Sequence, residues 1–308
     1  MKTTILISFL QLVLFTSAHA ISPVERSFIQ DDNRETYRLG DEFGKHPLTA
    51  KEMDIPVVAR AAGATAKVGG GTGFYLGKFN GYHVMATNHH VMPNPGTCSG
   101  MVVQFPVLHI AFPCVRYLGT WSDIDLTLFA IKVENPQQEA VLARFAGNFD
   151  FKNNLVQGQY LMTMGFGIAG NPNNRMMINY DSDCKVFSAA NDYRYIADPD
   201  GINPGDYKVW SFANACDISH GDSGSAMLDR VKGKVVGIIW TGAFPKTKEA
   251  QNSKMLDQML KTNSGAIWSQ LSYGVPAKVI GAYLVKFINN TQPLPDDIKL
   301  TLEAILSN

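Results

Sequence analysis

From about residue 56 the chain is written in short apolar runs, broken by Gly, Asn and Pro at intervals of roughly 8 to 12 residues. That punctuation specifies many short strands joined by tight turns, the pattern of an all-β sandwich or barrel. The clearest strands are Val84–Thr87, Met101–Phe105, Leu126–Val133, Tyr160–Met164, Val209–Phe212 and Val235–Trp240. They are too many for one small sheet. Residues 148–154 (Asn-Phe-Asp-Phe-Lys-Asn-Asn) are polar and turn-prone, a natural joint that divides the strands into two β lobes, 56–150 and 151–288. Within the second lobe, Met255, Leu256, Met259 and Leu260 stand at helical spacing inside an irregular stretch from Lys246 to Ser264, which reads as a surface insertion with a short helix. Val275–Ile288 is a clearer amphipathic helix with Pro276 in its first turn, and a tail of residues 289–308 holds a further helical candidate at Asp296–Leu306.

The flanks differ in texture. Lys2, an apolar run from Ile5 to Phe15 and the small residues of Ala18-His19-Ala20 read as a signal peptide, residues 1–20, cut after Ala20. The run is shorter than the about 20 residues that cross a bilayer, so no stable membrane anchor is expected and the mature chain is placed outside the cell or in a periplasm. Residues 21–55 are polar and poorly periodic, an extended arm or a pro-segment. Export suits four cysteines, an even number that an oxidising compartment can pair. Three pairings are possible; those between sequence neighbours, Cys98 with Cys114 and Cys184 with Cys216, close the more modest loops. No two cysteines have the close spacing of a structural zinc site, and no HExxH helix or phosphate loop is present, so neither a metal nor a cofactor is expected. Lys and Arg number 27 against 27 Asp and Glu, a balance that gives nucleic acid no electrostatic attraction. A monomer is expected.

Gly221-Asp222-Ser223-Gly224-Ser225 carries the strongest chemical signal. Acyl transfer through a serine needs a hydroxyl on a tight, exposed turn and backbone NH groups aimed at the developing oxyanion. Gly221 permits a backbone conformation that side chains forbid, so its amide and that of Ser223 can converge. A plain Gly-Ser turn has the same letters; what separates the two is a base. Val84–Val91 runs from an apolar strand into a polar turn with two adjacent imidazoles, His89 and His90. A companion carboxylate should also border a buried strand, and Ser122–Ile131 offers Asp123 and Asp125.

In this order and at this spacing the residues resemble the chymotrypsin-like serine proteases, most of all the bacterial branch that includes the glutamyl endopeptidases. A TNxHV-like string selects His90, and Asp125-Leu126-Thr127-Leu128 resembles the family's DLAI-like string. Gly71-Thr72-Gly73-Phe74, Gly165-Phe166-Gly167, the strand from Gly237 to Gly242 and Gly274-Val275-Pro276 resemble other family strings, over about residues 56–288. The resemblance implies two antiparallel six-stranded β-barrels followed by a C-terminal helix. It implies a secreted endopeptidase acting on proteins or peptides through an acyl-enzyme. Ser223 would be the nucleophile, His90 the general base, Asp125 its orienting partner, and the Gly221 and Ser223 amides the oxyanion hole. Substrate would contact Trp240, Gly242, His220 and Asp217, the last standing where trypsins carry the acid that selects Arg or Lys. Ile239 replaces the histidine with which glutamyl endopeptidases bind an acidic side chain. Asp222 resembles the aspartate that in animal members pairs with a newly cut N-terminus, although no IVGG-like string follows a basic residue at a suitable distance. A catalytically silent binding module and an esterase are the rival expectations.

Overall fold

A computed structural model of the chain describes residues 34–199, 207–262, 265–291 and 293–308. The expected signal peptide lies outside the described residues. The arm, where described, is a packed part of the fold. A short helix, Arg34–Tyr37, leads to Leu39, and both Tyr37 and Leu39 are fully buried. Strand β1 (His46–Pro47) then joins a sheet of the second lobe, and a helix at Pro56–Ala64, opened by its proline, occupies residues expected to begin the first barrel. Residues 34–55 are therefore no loose extension, because buried side chains and strand pairing tie them down.

Six strands close the first lobe: β2 (Thr65–Val68), β3 (Gly71–Phe79), β4 (Tyr82–Thr87), β5 (Val102–Phe105), β6 (Ile110–Trp121) and β7 (Leu126–Ile131). They form a closed barrel in the order β2-β3-β4-β7-β6-β5. The hairpin between β3 and β4 turns through Asn80 and Gly81, both at positive φ, the Asn-Gly pair that a two-residue hairpin loop requires. Inside, Tyr75, Met85, Phe105 and Phe129 pack together, while on β5 Val102 and Gln104 face out and Val103 and Phe105 face in. Cys98 and Cys114 form a disulfide at the barrel's edge.

The second lobe departs from expectation. Strands β8 (Leu161–Gly165), β9 (Met177–Asn179), β10 (Arg194–Ala197), β11 (Lys208–Asn214), β12 (Ala226–Asp229), β13 (Val235–Gly242) and β14 (Ser272–Pro276) join β1 in one eight-stranded antiparallel sheet. Its order is β1-β9-β8-β12-β13-β14-β11-β10, so the named strands do not by themselves form a second closed barrel; isolated bridges from Lys185 to Tyr160, beside β8, and from Val186 to Asn214 of β11 link the two sides. The arm accounts for part of the difference, since β1 adds a strand beside β9 that strand signals alone do not assign to any sheet. Cys184 and Cys216 form the second disulfide. Val275 and Pro276 end β14, so the helix expected from Val275 starts at Ala277 and runs to Asn290; a further helix, Asp296–Ser307, buries Leu302 and Ile305. The insertion carries a helix at Ser253–Thr262.

Candidate active site

Ser223 sits on the turn that leads into β12. Gly221 and Gly224 hold φ of 93° and 87°, and a side chain at either would collide with backbone carbonyls, of Phe166 and Thr72 respectively. Within the turn the amides of Asp222, Gly224 and Ser225 are spent on the carbonyls of Ser219, Ile239 and Asp222. Among the described residues no acceptor takes the amides of Gly221 or Ser223, so these two donors remain for a guest. Thr72, from β3 of the barrel, stitches the turn from the other lobe: its amide donates to the Ser223 carbonyl at 2.8 Å and its hydroxyl to the Gly221 carbonyl at 2.7 Å. Thr72 Oγ1 in turn accepts the Phe166 amide at 3.1 Å.

His90 follows β4, and Asp125 stands at the mouth of β7, after a single 3₁₀ turn at Ser122–Ile124. Asp125 has φ 38° and ψ 47°, a left-handed conformation in which Asn88 Nδ2 donates to its carbonyl at 2.8 Å. Its carboxylate is fully buried. Oδ2 lies 2.7 Å from His90 Nδ1, and Oδ1 accepts the His90 amide at 3.0 Å and the Tyr207 hydroxyl at 2.6 Å. Burial, with the Asp125 charge beside it, pushes the Tyr207 phenol far above its ordinary value, so the hydroxyl stays a donor. The competing carboxylate, Asp123, accepts from Tyr195 at the surface. His89 is bonded to Thr120 Oγ1 at 2.7 Å and stacks on Tyr207; burial lowers its pKa, with Asp125 opposing.

His90 and Ser223 line the same cavity, of about 100 Å³, together with the expected Trp240, Gly242 and His220. Burial pushes the His220 imidazole below its ordinary value, and its ring meets Phe244 edge-on at 5.1 Å. Lining groups that gave no signal in the sequence include Asp198, whose Oδ1 accepts from Thr241 Oγ1 at 2.7 Å, and Phe244. Asp217, expected among the substrate contacts, does not line the cavity. It is 1% exposed, and its two oxygens accept the amides of Leu39 at 2.6 Å and Gly44 at 2.7 Å. Burial, with Asp181 nearby, pushes its carboxyl well above the usual range against those two amides. A carboxyl buried behind the arm and absent from the cavity wall is not placed to meet a substrate cation, which corrects the suggestion of a trypsin-like pocket floor.

Residues 71–238 match the family model of the trypsin-like peptidase domain. Solved structures similar to this chain include the active form of the Rv3671c protease from M. tuberculosis, with a TM-score of 0.50 and 17% identity, covering 81% of this chain and 90% of that one. The inactive form of the same protease gives a TM-score of 0.47 and 16% identity, covering 78% of this chain and 96% of that one. No curated protein sequence matches. At these identities the structural likeness concerns the fold.

Proposed function

Since this chain belongs to the trypsin-like peptidase domain family, we propose that it is an exported serine endopeptidase whose nucleophile is Ser223, with His90 as general base and Asp125 as its orienting partner. The observation that carries the reading is the 2.7 Å contact between His90 Nδ1 and buried Asp125 Oδ2, at a cavity that His90 and Ser223 share. With Nδ1–H held by the carboxylate, the imidazole presents Nε2 as an acceptor. Nε2 takes the Ser223 hydroxyl proton as Oγ bonds to the substrate carbonyl carbon, and the carbonyl oxygen gains charge between the Gly221 and Ser223 amides. The carbon–nitrogen bond then breaks, with the proton passing from His90 to the leaving amine. Water, deprotonated by the same nitrogen, then bonds to the acyl carbon, the Oγ–acyl bond breaks, and the proton passes from His90 to Ser223 Oγ, which releases the acid and restores the hydroxyl. The two disulfides suit an oxidising compartment. A glutamate preference has no support from the histidine position, which holds Ile239.

A fluorophosphonate probe tests the assignment. Labelling of the wild type that vanishes in Ser223→Ala is expected, whereas an unlabelled wild type points to a silent binding module. A panel of matched peptide and ester substrates separates a peptidase from an esterase, and turnover of esters alone would remove the peptidase reading.

A further inference from the structure

Directly before Ser223 lies a buried ion pair that the chemistry above does not use. Lys45 Nζ meets Asp222 Oδ2, with the two side chains 1% and 2% exposed. The Asp222 carboxylate is also the hub of the turn: Oδ1 accepts the Gly167 amide at 3.0 Å, and Oδ2 accepts the Ser219 amide at 2.9 Å. Its own backbone joins Gly221 to Ser223, so the two unspent amides lie on either side of it. A carboxylate this deep needs a counter-charge, because burying an ion without one is far more costly than burying a pair. The cation arrives from the arm. Gly44 and Leu39 donate their amides to Asp217, and the next strand, β1, adds to the sheet beside β9, which together fix the backbone on both sides of Lys45. Room is kept for the ammonium by Gly167, where a Cβ would collide with Asp222 Oδ2 and lie 2.5 Å from Nζ.

We propose that Lys45 is a positioning residue of the serine turn: its ammonium is the internal counter-charge that holds Asp222, and through it the Gly221 and Ser223 amides, so the oxyanion site is assembled when the arm folds. The catalytic unit then includes residues 34–55, and proteolysis between Lys45 and the barrel inactivates the enzyme instead of activating it. The inference rests on the serine-hydrolase reading, and the two fail differently.

The experiment compares wild type, Lys45→Arg, Lys45→Met and the double variant Lys45→Met/Asp222→Asn, each full length. Fluorophosphonate labelling rate, kcat and KM on one peptide and the thermal midpoint are measured for each. Lys45→Met is expected to lose on the order of 10²-fold in kcat and in labelling rate, the scale of losing an oxyanion donor, with KM within about threefold of wild type. Lys45→Arg, which keeps the charge, is expected to recover part of that loss. The double variant is neutral and near-isosteric, so it restores folding if Lys45→Met unfolds, yet it stays slow. Wild-type rates in Lys45→Met or in the folded double variant overturn the proposal while leaving the assignment of Ser223 intact; an unlabelled wild type removes the assignment itself. Mass spectrometry of the probe-labelled wild type supplies a check that needs no variant. Labelled chains are expected to retain Lys45, and labelled chains that begin after it overturn the proposal.

Discussion

Replacing Tyr207 with Phe deletes one hydroxyl and keeps the ring, which stacks on His89 at 6.1 Å and meets Trp240 edge-on at 6.3 Å. The hydroxyl gives a 2.6 Å bond to Asp125 Oδ1, and the carboxylate keeps its two bonds from His90. A hydrogen bond to a charged group contributes about 1.5–3 kcal/mol, and with two donors remaining a loss near the middle, about 2 kcal/mol, is expected. If all of it were expressed in the transition state, kcat/KM would fall about thirtyfold, which sets the ceiling. The pH dependence carries a sign. Without the phenol the Asp125 charge is less dispersed and holds the imidazolium more tightly, so the acid limb of kcat/KM moves to higher pH. Steady-state kinetics across pH 5 to 9, with urea unfolding at pH 7, measure both effects. A variant with wild-type kcat/KM and an unmoved acid limb would refute the placement of Tyr207 in the carboxylate's support, and a stability loss alone would reduce it to packing.

Thr72→Val keeps the shape but removes the hydroxyl that donates to Gly221 and accepts from Phe166, so kcat is expected to fall by about 1–2 kcal/mol of barrier with KM little changed; stopped-time peptide hydrolysis reads this, and an unchanged kcat counts against Thr72 as the stitch between lobes. Glu52 titrates the arm: burial raises its carboxyl, but bonds from the Thr49 side chain, His46, the Thr49 amide and Tyr180 outweigh this and bring it to about 2. A depressed carboxylate stabilises the fold above its ordinary value of 4.5 and loses that contribution as pH falls towards 2. The gap in urea midpoint between wild type and Glu52→Gln should therefore be wide at pH 7 and narrow towards pH 2.5; a constant gap contradicts the linkage.

His90, Asp125 and Ser223 stand out in the sequence because each lies in a local string at a strand end, and the structure brings His90 to Asp125 and to the cavity that Ser223 lines. The Asn80-Gly81 hairpin was written in the same short-range way. Lys45, Tyr207 and Asp198 were not legible, since their partners lie 177, 82 and 43 residues away and no spacing rule links a lysine in a polar arm to an aspartate in a glycine turn. Asp217 misled for the same reason. Its distance from Ser223 along the chain suggested a pocket floor, while the amides that occupy it come from Leu39 and Gly44. The existence of strands in the second lobe followed from apolar runs, but their order depends on pairings, such as β1 beside β9, that periodicity does not encode.

The stretch that matches the family model, residues 71–238, leaves out strands that complete both sheets. Cutting there discards β2, the strand that bridges β3 and β5, and so leaves the barrel a split cylinder. It also discards β14, which pairs with both β13 and β11 and whose loss leaves one margin of each unpaired. Raw strand margins on both halves would invite neighbouring molecules to zip together. A piece cut to residues 71–238 is expected to aggregate, whereas one that begins upstream of the buried Tyr37 keeps the arm with its sheet.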